Sequence, residues 1–115
     1  MNPAYLEDAS GFTGRAERVL VPNSEAELLA IIGEACAAST PITIAGAGTG
    51  VTGAGVPDGG WVISLERFTG IVIGAGEART GAGVLLRDLQ SAATRTGQFY
   101  APDPTENAAS IGGTI

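Results

Sequence analysis

Seven glycines stand between positions 46 and 60, at Gly46, Gly48, Gly50, Gly53, Gly55, Gly59 and Gly60, directly behind the β-branched run Ile42-Thr43-Ile44. A backbone this bare cannot continue a strand or start a long helix. It must turn, or let its amides come close to another backbone or to an anion. Successive N–H groups turned one way can cradle a pyrophosphate without any lysine. Two readings stand on the residues alone: a phosphate cradle, or a flexible turn without a ligand. Gly48, Gly50 and Gly53 spell a G-x-G-x-x-G, but the dinucleotide fingerprint also needs a helix directly behind it and an acid about 20 residues on. Gly55, Pro57, Gly59 and Gly60 forbid that helix, and no acid sits at that spacing. A P-loop is excluded because Ala54, not lysine, follows Gly53.

The flanking sequence supplies regular elements. Arg18-Val19-Leu20-Val21 reads as a strand stopped by Pro22. Ser24 and Glu27 form a capping box for a helix over Glu25 to Ala38, with Leu28, Ile31, Ile32, Ala35 and Cys36 at helical spacing. With the strand at Ile42–Ile44 this is a β-α-β unit with parallel strands. Trp61 to Leu65 is a further strand. Gly70 to Ile73 and Glu77 to Thr80 are two shorter ones joined by Gly74-Ala75-Gly76. Val84 to Thr94 is a second amphipathic helix, with Leu85, Leu86, Leu89 and Ala93 on its apolar side and Gly97 as its stop.

The chain of 115 residues carries 18 glycines, 44% hydrophobic residues and a net charge of −6. That is enough apolar matter for one small domain and too much for a disordered chain. No basic run exists, so nucleic acid is not an expected partner. No stretch is long and apolar enough to span a membrane, and the first ten residues do not resemble a secretory signal. One cysteine and no histidine leave neither an internal disulfide nor a metal-ligand cluster to expect. A cytoplasmic location fits. Cys36 is expected as a small core residue, Trp61 and Tyr100 as packing residues, Glu66-Arg67 as a solvated ion pair and Asp58-Gly59 as a turn. Asp103 reads either as a turn cap beside Pro104 or as a ligand-side residue.

Four segments in order then resemble one family. Pro41-Ile42-Thr43-Ile44-Ala45-Gly46-Ala47-Gly48-Thr49-Gly50 is similar to the pyrophosphate loop of the vanillyl-alcohol-oxidase family, whose flavin domain is called the PCMH-type FAD-binding domain. Ile63 to Phe68 resembles that family's next strand and turn, and Gly81-Ala82-Gly83-Val84 to Leu89 its lead into a helix. Pro102-Asp103-Pro104-Thr105-Glu106 and Ser110-Ile111-Gly112-Gly113 resemble its second flavin-contacting segment. The similarity is greatest to the FAD-linked oxidases of the glycolate oxidase subunit and D-lactate dehydrogenase group.

The resemblance implies an α/β (α+β) chain: the first subdomain of a PCMH-type domain, a β-α-β unit with a mixed sheet. Residues 1–115 would form the amino-terminal part of the domain, incomplete at the C-terminus, before the second subdomain and the substrate cap. It implies non-covalent FAD, the pyrophosphate held by Ala45, Gly46, Ala47, Gly48, Thr49 and Gly50. Pro102, Asp103, Thr105, Ser110, Gly112 and Gly113 would lie along the ribityl and ring side. Many relatives carry arginine where this chain has Ala45, so affinity here would lean on backbone amides. The implied reaction is oxidation of a 2-hydroxy acid by hydride transfer to FAD, with a second electron acceptor. The small-molecule substrate would be met by the absent carboxyl-terminal region. No catalytic residue is expected within these residues, and they alone should turn over no substrate and hold FAD poorly. A non-catalytic nucleotide-binding remnant is the alternative. A flavin reductase of cell-wall precursor synthesis is a third reading, which the pattern at Pro102 to Gly113 disfavours.

Overall fold

The structure is a computed structural model that describes residues 3–49, 55–103 and 106–115. Strand β1 (Arg18–Leu20) leads through Pro22 to helix α1 (Glu25–Ala37). The helix starts where the capping pattern places it. Ser24 Oγ accepts the Glu27 amide at 3.2 Å, and the Glu27 carboxylate reaches back to the amide of Asn23 at 2.7 Å. At the other end Ser39 takes a left-handed φ of 52°, donating to the Cys36 carbonyl while Thr40 donates to that of Ala35. These crossed bonds are a Schellman closure, with serine where glycine is usual.

Strands β2 (Ile42–Ala45) and β3 (Trp61–Ser64) complete a parallel sheet in the order β1-β3-β2. Trp61 faces both Arg18 and Ile42 across the ladder, and Ile63 faces both Leu20 and Ile44. All four residues of β3 are buried, as a central parallel strand requires. The β-α-β unit is therefore parallel as expected, but β3 is inserted between its two strands. The Arg18 guanidinium stacks 4.5 Å from the centre of the Trp61 ring, which fixes that ring as packing.

A separate antiparallel hairpin, β4 (Ile71–Gly74) and β5 (Glu77–Thr80), turns through Ala75-Gly76. Helix α2 (Leu86–Arg95) packs against β4, closing the second core from Val84, Leu86, Leu89 and Ile111, with Ile71, Ile73 and Tyr100 against it. Gly97, at φ 74°, ends α2 with the same crossed bonds, Gly97 to Thr94 and Gln98 to Ala93. Parallel and antiparallel strands are both present, as expected of this α/β chain, divided between two sheets.

Three expectations change. Cys36 is exposed; Ala35 is the fully buried residue of α1. Successive helical residues are about 100° apart, so turning Ala35 under the helix turns Cys36 out. Glu66 and Arg67 do not pair: Glu66 accepts the Tyr5 hydroxyl, and Arg67 donates to Asn23 Oδ1 at 2.8 Å. Helix α2 begins at Leu86 rather than Val84 because Leu85 bridges to Ser110 in extended conformation.

Candidate functional site

The two halves of the chain face each other across a cleft of about 1220 Å³. One wall is the chain leaving β2, Ala45 to Thr49; the opposite wall is Ser110 with Gly112, Gly113 and Thr114. The second wall is held by an antiparallel pairing that α2 imposes. Ile111 donates to the Val84 carbonyl at 2.7 Å, Gly112 to that of Ala82 at 3.0 Å, and Leu86 to that of Ala109 at 2.9 Å. The chain leaves its bridge at Ser110 and turns, with Ile111 in helical conformation ahead of a 3-10 turn over Gly112–Thr114; Ile111 packs into the core and Ser110 lines the cleft.

Ser110 joins the walls. Its hydroxyl is 5% exposed as a residue and accepts the Gly113 amide at 3.2 Å. A Cβ built on Gly46 would lie 2.7 Å from the same oxygen. Glycine at 46 is thus a packing requirement across the cleft. Gly48 has φ 75°, a conformation that L side chains adopt rarely. Among the described residues, none accepts a hydrogen bond from the amides of Gly46, Ala47, Gly48 or Thr49. These donors are available to a ligand. The amino end of α2 is not, because the carbonyls of Ala109 and Asn107 already take the Leu86 and Arg87 amides.

The rim is acidic. Glu7, Asp8, Glu66, Asp88 and Glu106 line the cleft, and no arginine does so among the described residues. At physiological ionic strength charges beyond about 8 Å are largely screened, so nearby amide dipoles outweigh distant carboxylates for a bound anion. Tyr5, on the rim, donates its hydroxyl to Glu66. That hydrogen bond holds the phenol above its ordinary pKa of 10.0, burial and the carboxylate's charge act in the same direction, and Arg67 opposes them.

Of the residues singled out in the sequence, Ala45, Gly46, Ala47, Gly48, Thr49, Ser110, Gly112 and Gly113 meet at the cleft. Gly50 and Thr105 lie outside the described residues. Pro102 and Asp103 are exposed and do not line it. Tyr100 packs against the core, and Ala101, Pro102 and Asp103 after it are exposed. Sequence reasoning missed the amino-terminal contribution of Ala4, Tyr5, Glu7 and Asp8. The only local signal there is Asp8, whose carboxylate caps the amide of Ser10 at 2.8 Å. No helix among the described residues is long and apolar enough to cross a membrane.

Comparison with known proteins places the chain in a family. The family profile described as FAD binding domain matches residues 16–115. The D-lactate dehydrogenase of Archaeoglobus fulgidus is 38% identical over 100 residues, 84% of this chain and 23% of that protein. That of Anaerostipes hadrus is 35% identical over 121 residues, 100% of this chain and 26% of that protein. The glycolate oxidase subunit GlcD of Escherichia coli K12 is 29% identical over 98% of this chain and 24% of its own length. The chain thus spans about a quarter of each relative's length. The fold is that of the cholesterol oxidase from Brevibacterium sterolicum, with TM-score 0.74 and 21% identity over 83% of this chain and 20% of that one. It is equally that of 6-hydroxy-D-nicotine oxidase from Arthrobacter nicotinovorans, with TM-score 0.72 and 24% identity over 82% and 21%.

Proposed function

This chain belongs to the FAD-binding domain family, and from that premise we propose that it is the cofactor-holding portion of a flavin-dependent oxidoreductase acting on a 2-hydroxy acid such as D-lactate or glycolate. One observation carries the reading: segments more than 60 residues apart, at Ala45–Thr49 and Ser110–Gly113, converge on one cleft. Its size, about 1220 Å³, exceeds the roughly 300–1,000 Å³ of ordinary small-molecule pockets and suits a dinucleotide.

The residues present fit such a group. The amides of Gly46 to Thr49 supply donors for the pyrophosphate. Ala45 adds no charge, so affinity depends on how rigidly those amides are presented. Ser110 packs against Gly46 across the cleft, and Gly112 and Gly113 lie on the wall along which the ribityl side would run. The assignment of Pro102, Asp103 and Thr105 to that side rests on the resemblance alone. When bound, FAD supplies a ring that accepts hydride from the substrate carbon, its electrons then passing to a second acceptor. The chain's own part is binding and orientation. Its carboxylates form no constellation suited to acid–base work, so the groups that meet substrate belong to other parts of the enzyme. The likeness to D-lactate dehydrogenases and to a glycolate oxidase subunit supports the substrate class.

The test uses the full-length natural protein. It should bind FAD stoichiometrically, and D-lactate or glycolate should bleach the flavin without oxygen and drive turnover with an artificial electron acceptor. Absence of flavin binding refutes the reading. Flavin that neither acid reduces would leave a nucleotide-binding remnant or another substrate class in its place.

A further inference from the structure

Residues 3–15 precede the matched domain, which begins at residue 16, yet four of them, Ala4, Tyr5, Glu7 and Asp8, form one lip of the cleft. The segment is folded back on itself. A short 3-10 turn covers Pro3–Leu6, Gly14 donates its amide to the Leu6 carbonyl at 2.6 Å, and Glu7 and Thr13 pair across it. Its stem is anchored by backbone. Arg15 donates to the Pro57 carbonyl at 2.9 Å and accepts from Gly59 at 2.8 Å, with an Arg15–Asp58 ion pair at 3.3 Å. The far end lies over the cleft. The Tyr5 hydroxyl is bound to the Glu66 carboxylate just beyond β3. The Glu7 carbonyl lies 3.9 Å from where a Cβ on Gly48 would sit. The segment therefore crosses from the end of β3 to the glycine loop, with a backbone-bonded stem and a tip held by a side-chain hydrogen bond.

We propose that residues 3–15 are a strap across the mouth of the cofactor cleft, latched by the Tyr5 hydroxyl on the Glu66 carboxylate, and that the latch sets how fast FAD leaves. The inference rests on the cleft being the FAD site. A strap hinged at Arg15 can swing without disturbing the parallel sheet, whose ladder starts at Arg18. Tyr5 and Glu66 are both at the surface, so water can take the place of each for the other once the latch opens. Release then has to break this charge-assisted hydrogen bond, one of the contacts that hold the tip. Glu66 accordingly acts through Tyr5 as a positioning residue, and an amide oxygen at position 66 can replace the carboxylate oxygen as acceptor.

The experiment measures FAD association and dissociation rates by stopped-flow flavin fluorescence on the full-length protein, with the melting temperature of the apoprotein alongside. Tyr5→Phe keeps the ring and removes the latch; dissociation should speed up about three- to tenfold, the equivalent of one hydrogen bond to a charged acceptor at the surface. Apoprotein melting should stay at its wild-type value. Glu66→Gln should dissociate more slowly than Tyr5→Phe. An unchanged dissociation rate for Tyr5→Phe overturns the strap, as does a faster rate accompanied by an equal loss of apoprotein stability. Gly48→Val separates the two claims. If that variant loses FAD while Tyr5→Phe is unaltered, the strap alone fails; if it holds FAD as the wild type does, the cleft assignment itself fails.

Discussion

Replacing Gly46 by alanine sets a methyl carbon 2.7 Å from Ser110 Oγ and 3.8 Å from Ser110 Cβ. The first distance lies well inside the roughly 3.5–4.0 Å optimum for non-bonded heavy atoms, and the second does not. Something must move. If the Ser110 hydroxyl rotates away, it gives up its share of the Gly113 amide, accepted at 3.2 Å by the hydroxyl and at 3.1 Å by the Ser110 carbonyl, a loss of about 1 kcal/mol at most. If the glycine loop moves instead, the strain is that of an overpacked contact, about 1–3 kcal/mol. Either route shifts one wall of the cleft against the other. FAD affinity should therefore fall by about 5- to 150-fold, at about 1.4 kcal/mol per tenfold. Ser110→Ala removes only the oxygen and should weaken binding about fivefold. In the double variant the methyl added at position 46 meets only the Cβ of residue 110, at 3.8 Å, so the double should bind no worse than Ser110→Ala alone. The coupling in the cycle should then exceed about 1 kcal/mol. Flavin fluorescence titration of the four full-length proteins measures it. A Gly46→Ala protein that binds as the wild type does, or two effects that simply add, would refute the packing of Gly46 on Ser110.

Gly48→Val places a β-branched side chain at φ 75° and should lower FAD affinity by about 5- to 150-fold, since left-handed strain for such residues is about 1–3 kcal/mol, with far-ultraviolet dichroism unchanged. Ser39→Gly should stabilise the closure of α1 by about 0.5–1 kcal/mol, because Ser39 is the one non-glycine residue with positive φ among those described; a urea midpoint that moves down contradicts this. Any bound flavin should be non-covalent, as the chain has no histidine and its only cysteine sits on the outer side of α1; acid precipitation should leave the yellow colour in the supernatant, and a flavin adduct on a peptide of this region would oppose it.

What could be read from sequence was what neighbouring residues decide. Ser24 with Glu27, the turn at Gly76 and the stop at Gly97 act within a few positions, and each lies where its pattern puts it. The glycine density of Ala45 to Gly60 marked one wall of the cleft for the same reason. Partners far along the chain decided the rest. β3 enters between β1 and β2 because its four residues need cover on both faces, a need that the β-α-β pattern of its neighbours does not express. The start of α2 depends on Ser110, some two dozen residues later. The helical spacing of Leu28, Ile31, Ile32, Ala35 and Cys36 defines a stripe without its centre, and a centre on Ala35 leaves Cys36 outside. Tyr5 meets Glu66 across 61 positions, with nothing near either residue to announce it. Resemblance, rather than residue chemistry, pointed to the second wall, and it carried Pro102 and Asp103 along with Ser110 and Gly112.

Hydrogen exchange of the full-length protein with and without FAD tests most directly whether the two walls hold one cofactor. The amides of Gly46 to Thr49 donate to no described residue, and the chain there is largely exposed, whereas Gly112 and Gly113 are already bonded within the chain. FAD should therefore protect the peptide containing Gly46 to Thr49 strongly. It should protect the peptide containing Ser110 to Thr114 in the same titration, with the same midpoint. Protection confined to other parts of the protein, or two midpoints that differ, would contradict the account.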